Sequence, residues 1–302
     1  MQKKTKIWLI SAFLLIMIGG ILFGGAMHML NWDFAALSTD EYQTEIHTIQ
    51  EDFSSISIRV DTADVIFVNA GSEAATVTCH MEANITCSVR VTDGMLLIES
   101  EDHRKWYEHI GIHFGTPKVT VSIPQGQYAD FLVKTSTGDV QVPGDFAFER
   151  ITIGTSTGDI RLDGVTADSL DLTVSTGRVT VSDSTCGGDL VIRVTTGKTV
   201  LSDIRCRNLS STGDTGKITL QNVIATEKIT VARSTGDVSF DRCDATELSV
   251  STDTGDVRGS LLSEKVFIAA ADTGKIDVPN TVTGGKCQIT TDTGDIVITI
   301  EE

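Results

Sequence analysis

The chain has 302 residues, of which 40 % are hydrophobic and 22 % are charged, and its formal net charge is −17. This balance is typical of a globular protein with one large domain or two smaller ones. The negative charge would repel phosphate backbones, so the composition argues against nucleic acid as a partner. Proline is rare, with 4 residues, and glycine is frequent, with 27, which favours strands and turns over helices.

The N-terminal segment predicts a membrane anchor. Residues 7–30 carry no charge, and three lysines lie within the first six residues. As a helix the segment would be about 36 Å long, enough to cross a hydrocarbon core of about 30 Å. The lysines predict a single-pass protein of the cell membrane, with a cytoplasmic N-terminus and an extracellular C-terminal domain. A cleaved signal peptide is the alternative, but the apolar run is longer than a usual signal core.

A short motif, TSTGDV at residues 135–140, recurs in variant form to the C-terminus. Its glycines are separated by 19 or 20 residues each time, a period typical of a solenoid. We call them the corner glycines; they are Gly138, Gly158, Gly177, Gly197, Gly216, Gly236, Gly255, Gly274 and Gly294.

Apolar residues alternate with polar residues on both sides of most corner glycines, as in Val140 and Val142 after Gly138. The returns between these segments are too short for a crossover helix. The sequence therefore predicts an all-β fold. It is a single parallel β-helix (β-solenoid) with coils of 19 or 20 residues, preceded by one transmembrane helix.

The same alternation predicts the directions of the corner side chains. The threonine before each corner glycine would point inward or toward the corner, where its methyl packs and its hydroxyl bonds to a neighbouring coil or to the turn. The glycine would adopt a positive φ. The charged residue after the glycine would face solvent, in a row containing a few weak ion pairs.

The motif does not match the usual ion and phosphate loops. It lacks GxxxxGK[ST], GGxGxD and DxDxDG, so we expect no cofactor and no metal site. A candidate interaction surface is the outward face formed two, four and six residues before the corner glycines. Such a flat face can adhere to a polymer, or it can simply be the solvent-exposed side of a sheet. The residues singled out on it are Thr173, Ser175, Ser251, Asp253, Thr290 and Asp292.

An aromatic, non-repetitive insert at residues 103–116 is a second candidate for an interaction surface, with an ordinary loop or cap as the alternative. It shows no metal-ligand spacing, and no nucleophile motif occurs in the chain, so we predict no enzymatic activity. The residues singled out in the insert are His103, Trp106, Tyr107, His109 and His113.

Six cysteines lie after the predicted anchor. Cys186 and Cys206 each lie nine residues after a corner glycine, in adjacent coils, so they could form a disulfide or remain stacked thiols. Cys79 and Cys87 could form a disulfide that links the two strands of a hairpin. All four are interpreted as structural.

The chain divides into an N-terminus with anchor (1–30), a polar linker (31–52), irregular coils with a cap (53–133) and regular coils (134–302). Within the irregular part, residues 56–68 resemble a degenerate coil. The strand at 296–300 is predicted to be an open edge that allows end-to-end self-association.

The anchor, the segment VTVSIPQG at 119–126 and the STGDV and STGDI coils together resemble the bacterial putative-adhesin family. This is a domain of unknown function common in Gram-positive envelope proteins. The resemblance covers residues 50–302 and implies a right-handed β-solenoid at the cell surface, without catalytic residues.

We therefore predict a non-enzymatic adhesion or surface-interaction scaffold of the cell envelope, with a cell-wall polymer or an envelope protein as its partner. The alternative is an extracytoplasmic sensory or regulatory partner of an envelope-stress signalling system.

Overall fold

The structure is a computed structural model that describes residues 3–33, 41–71, 74–104, 115–144 and 146–301. The chain forms two compact units. The first comprises Met1–Tyr42 and Arg104–Gly115, and the second comprises Gln43–His103 and Thr116–Glu302.

The first unit contains helix α1, Lys3–Met29. Its segment Thr5–Met29 has a mean hydropathy of 2.5 and is exposed over most of its length, although Met27 is buried. The predicted apolar helix is confirmed, and it is long enough to span a bilayer, a property shared by membrane anchors and signal sequences.

The described residues contain twenty-four strands. The first nine are β1 Tyr42–Thr48, β2 Ser55–Thr62, β3 Asp64–Asn69, β4 Thr76–Glu82, β5 Ile85–Thr92, β6 Met95–Asp102, β7 Lys118–Ile123, β8 Gln127–Thr137 and β9 Val140–Val142. The next eight are β10 Ala147–Thr157, β11 Ile160–Asp163, β12 Thr166–Thr176, β13 Val179–Ser182, β14 Thr185–Cys186, β15 Asp189–Thr196, β16 Thr199–Thr215 and β17 Ile218–Thr235. The last seven are β18 Val238–Cys243, β19 Glu247–Thr254, β20 Val257–Leu261, β21 Lys265–Thr273, β22 Ile276–Asp277, β23 Gly285–Thr293 and β24 Ile296–Ile300.

The regular coils stack as a parallel β-solenoid, which confirms the predicted fold class. Equivalent residues lie in register, so inward side chains form continuous columns. In one coil Leu170, Leu172 and Val174 before the corner, and Val179 and Val181 after it, are all buried. Burial of each such side chain contributes about 1.5–3 kcal/mol, so the columns form the core.

A second corner occurs six residues after the glycine in several coils. There the backbone enters the left-handed region, with φ between 49° and 68°. Glycine, aspartate and asparagine tolerate this conformation better than most residues. The residues at this position are Gly164, Asp183, Asp203, Asn222 and Arg242.

The corner glycines bring neighbouring main chains into close contact. Gly177 has a φ of +148°, and a Cβ on it would overlap the carbonyl oxygen of Gly158. Its amide donates to the carbonyl oxygen of Thr196 in the following coil, at 3.0 Å. The predicted positive φ is confirmed, and the contact between coils gives a second reason why only glycine fits.

The predicted inward direction of the corner threonines is wrong, because all nine side chains are exposed. The register shows why. Thr155 pairs with Val174 and Thr157 with Thr176, but Ser156 has no such partner. The chain bends at this point, so two consecutive side chains face solvent and the period of two is broken. The threonines concerned are Thr137, Thr157, Thr176, Thr196, Thr215, Thr235, Thr254, Thr273 and Thr293.

The inward position lies three residues before the glycine. Thr155 occupies it and is 4 % exposed. Its hydroxyl donates to the carbonyl oxygens of Gly138 and Thr157, at 3.3 and 3.1 Å. The satisfied hydroxyl allows a polar side chain to close the core at the corner.

The acidic residues after the glycines connect adjacent coils as well as facing solvent. Asp139 Oδ1 accepts a hydrogen bond from the amide of Asp159, at 2.8 Å. Arg161 bridges both carboxylates, at 2.9 and 2.7 Å. Partial burial would raise the pKa of Asp139, but the Asp159 amide and Arg161 outweigh it and lower the pKa. The row thus contains main-chain hydrogen bonds that the sequence had not indicated.

A similar cluster joins the last coils. Asp256 Oδ1 accepts from the amide of Asp295 at 2.8 Å, and Arg258 contacts both carboxylates at 2.9 Å. The Asp295 amide is the main cause that lowers the pKa of Asp256 from 3.8; partial burial opposes it, and Arg258 adds to the lowering.

The N-terminal coil is covered by later segments. β2 pairs in parallel with both β6 and β8, and β3 with both β7 and β9. The degenerate coil predicted at 56–68 is therefore a coil of the stack, and Asp64 accepts from the Asp139 amide as the regular aspartates do. Beyond it, β4 and β5 pair antiparallel with β7 and β6.

Part of the predicted linker 31–52 is a strand. β1 pairs with β4, and Thr44 Oγ1 lies 2.9 Å from Nδ1 of His80, a residue of that strand. The polar composition of this segment suits the exposed strand that it forms.

The last two coils do not stack in chain order. β23 lies between β19 and β21, since Cys287 pairs with both Leu248 and Phe267. β24 lies between β20 and β22, since Ile296 pairs with both Val257 and Ile276. The edge predicted at 296–300 is covered in its first part, because the final coil is inserted beneath the preceding one and Ile296 and Val297 pair with β22, whereas residues 298–300 pair with β20 alone among the described strands. β21 is the end strand instead.

A corner glycine should not tolerate a side chain. We expect Gly177→Ala to lower the free energy of unfolding by at least about 2 kcal/mol, because the backbone strain and the overlap with Gly158 add. Gly154→Ala is the control, since nothing lies within 4 Å of a Cβ there. It should be neutral or stabilise by up to about 1 kcal/mol. Urea unfolding of the full chain in detergent measures both, and equal effects would contradict this explanation.

The Asp256 carboxylate should stabilise the fold in a pH-dependent way. Its folded pKa lies below 3.8, so its contribution is present above that pH and is lost as the pH falls through the folded pKa. Asp256→Ala should cost about 1 kcal/mol at pH 7, reduced by partial exposure. The difference from wild type should shrink below about pH 3.8. Thermal unfolding from pH 7 to 2 tests this, with Asp253→Ala as the exposed control; a pH-independent difference would refute it.

Candidate functional site

The polar face runs along the outward side of the long strands before the corner glycines. Thr173, Ser175, Ser251, Asp253 and Asp292 are exposed on it, and Thr290 is half-buried. Ser251 and Thr290 are direct register partners because the last coil is inserted beside β19. Thr173 lies several coils away, so the predicted residues form two groups on one face.

The corner threonines extend this face. They pair in register from coil to coil, as in Thr157 with Thr176 and Thr254 with Thr293. Thr62 of the N-terminal coil joins the row through Thr137. Adjacent members are about 4.8 Å apart. We call this exposed column the threonine row. The consecutive Ser-Thr or Asp-Thr pair before most corner glycines is the sequence signal that could have revealed it.

A group of cations lies beside the middle of the threonine row. Arg178, Lys198 and Lys217 follow the corner glycines of three successive coils, and all three are exposed. No ion pair reaches them among the residues that the structure describes. We call these three residues the basic strip. Residues 176–235 carry eight basic and five acidic side chains, although the chain as a whole is strongly acidic.

A shallow cavity of about 480 Å³ lies on the other side of the threonine row. Arg193 and Arg233 both line it. Arg193 is exposed and bonds to Asp171 at 2.6 Å. Gly213, also in the lining, leaves the space that the Arg233 guanidinium occupies. Cations therefore flank both sides of the row in these coils.

Arg233 is a buried cation, only 3 % exposed. Its Nη2 donates to Thr199 Oγ1 at 3.1 Å, while its Nε has no partner among the described residues. Burial lowers the pKa of Arg233, and the nearby Asp214 carboxylate partly opposes this. A desolvated cation without a direct carboxylate partner favours anions near this part of the surface.

The structure describes only one of the residues singled out in the insert. His103 is exposed, whereas Trp106, Tyr107, His109 and His113 lie outside the described residues. No group of three or more potential metal ligands occurs in the described part of the chain.

The cysteines are of two kinds. Cys79 and Cys87 form the predicted disulfide between β4 and β5. Cys186 and Cys206 are free and buried. They are therefore the stacked thiols of the second alternative and do not form a disulfide. Burial raises the pKa of Cys206 to about 12, with a smaller contribution from Cys186. Such thiols remain protonated and unreactive at neutral pH.

Solved structures share the fold of this chain. A putative lipid binding protein from Parabacteroides distasonis has a TM-score of 0.55 and 15 % identity, over 86 % of this chain and 98 % of its own. A putative adhesin from Parabacteroides merdae has a TM-score of 0.54 and 14 % identity, over 86 % and 98 %. At these identities the likeness shows the fold alone. No curated protein matches the chain.

The family model described as Toastrack DUF4097 matches residues 53–206 and 187–302. These matches span the solenoid and agree with the resemblance to the putative-adhesin family. The chain belongs to the Toastrack DUF4097 family.

Proposed function

We propose that the chain is a non-enzymatic scaffold of the cell envelope that binds an anionic polymer along its polar face. Helix α1 would hold it in the membrane, with the lysine-bearing N-terminus in the cytoplasm and the solenoid outside the cell. The flat, shallow character of the surface supports binding of an extended chain, because small-molecule substrates usually require enclosed pockets.

The basic strip is the observation that carries this proposal. Three exposed cations stand on successive coils about 4.8 Å apart, a costly arrangement of like charges in the absence of an anion. Acidic residues occupy the same column in coils on either side, such as Asp159 and Asp237. The acidic flanks would confine a polyanion to the central coils.

The neighbouring groups suit a polymer of phosphate or carboxylate units. Arg178 can form paired hydrogen bonds to such groups, while Lys198 and Lys217 act as point charges. The hydroxyls of Thr176, Thr196 and others in the row can donate to the same units. Binding of this kind weakens as salt increases.

Charge reversal in the basic strip should weaken polymer binding. We expect the double variant Lys198→Glu, Lys217→Glu to bind a purified glycerol-phosphate wall polymer at least about tenfold more weakly than wild type. Biolayer interferometry on the full chain in lipid nanodiscs, at low and high salt, measures this.

The matched control is Lys275→Glu, Lys286→Glu, which changes the net charge equally but on the last two coils of the stack. It should bind nearly as wild type does. Equal loss in both variants would show that net charge alone governs binding. No binding by wild type, or equal binding of a neutral polysaccharide, would overturn the proposal and favour the regulatory role.

A further inference from the structure

The strand at the C-terminal end of the stack, β21, has one free edge. β23 pairs with it over Lys265–Thr273. No other described strand pairs with its opposite side. A free edge exposes unpaired amides and carbonyls that can pair with another chain.

Residues 266–271 of this edge strand are apolar on both faces. Val266 and Ile268 point outward and are 38 % and 52 % exposed. Phe267 and Ala269 point inward and are only partly buried against the core. In six of the eight other regular coils, a polar residue occupies the position equivalent to Ile268. Solvent-exposed edge strands usually carry charges at such positions, so this composition indicates a covered strand.

We propose that β21 pairs with β21 of a second copy of this chain, antiparallel and around a two-fold axis at Ala269. The strand carries its large side chains in its first half and alanines in its second half. An antiparallel pair centred on Ala269 places Phe267 opposite Ala271, and Ile268 opposite Ala270. A parallel in-register pair would instead place each large side chain against its own copy.

The charges of this end allow two copies to approach. Residues 262–286 carry three acidic and three basic side chains, whereas the whole chain has a net charge of −17. Two copies therefore repel each other over most of their surfaces but not at this end.

The pairing is closed at two copies. At the opposite end of the stack the outermost described strands are β1 and β5, which pair with β4 and β6 and differ in sequence from β21. A two-fold contact uses the same surface on both copies, so it consumes the free edge and forms no filament. This contact does not involve the basic strip, and it stands independently of polymer binding.

Analytical ultracentrifugation of the full chain in detergent tests the pairing. We expect wild type to show a concentration-dependent monomer–dimer equilibrium. Ile268→Lys should raise the dimer dissociation constant at least about tenfold, because it places two charges at the contact. Thr230→Lys is the control: it changes the equivalent outward position of β17, which pairs with β16 and β19.

Amide hydrogen exchange provides a second readout that does not depend on a variant. The β21 amides of wild type should become more protected as the concentration rises through the dissociation constant. A wild-type monomer at every concentration would overturn the proposal. A dimer that Ile268→Lys leaves intact, a dimer with unchanged β21 protection, or growth beyond two copies would overturn it as well.

Discussion

At each corner the main chain of one coil passes so close to the next that no side chain fits between them. The amide of a corner glycine donates to a threonine carbonyl of the neighbouring coil, and a Cβ would overlap the neighbouring glycine carbonyl. This contact allows stacking in one register only. The inward Val, Ile and Leu columns, the hydrogen bonds of Asp139 and Asp256, and the exposed threonine row all depend on it.

In-register stacking turns each position of the repeat into a linear feature of the surface. A substitution that would be a local change in another fold becomes part of a column here. Lysine or arginine in place of aspartate after three consecutive corner glycines therefore creates the basic strip. The spatial order of the coils also accounts for Lys275. Its amide donates to Asp295 of the neighbouring coil, but its own coil is the last in the stack. No further coil follows, so no aspartate is needed at this position to accept another amide.

The period and the alternation predicted the solenoid, the corner glycines and the outward polar face, because each is a repeated local property. They gave wrong predictions for features that depend on the geometry between coils. The bend beside Ser156 turns Thr157 outward, which a strict period of two could not reveal. The order of the last coils could not be predicted either, since β21 and β23 have equivalent patterns and only packing decides which lies inside.

The in-register order of the corners can be tested directly by engineered disulfides. Thr254 and Thr293 lie side by side, whereas Thr254 and Thr273 are two strand spacings apart, about 9.6 Å and beyond disulfide reach. Oxidation of the variant Thr254→Cys, Thr293→Cys should form an intramolecular bond, detected by mass spectrometry of peptides. The variant Thr254→Cys, Thr273→Cys should not. Bond formation in the second variant alone would mean that the coils stack in chain order and would contradict this structure.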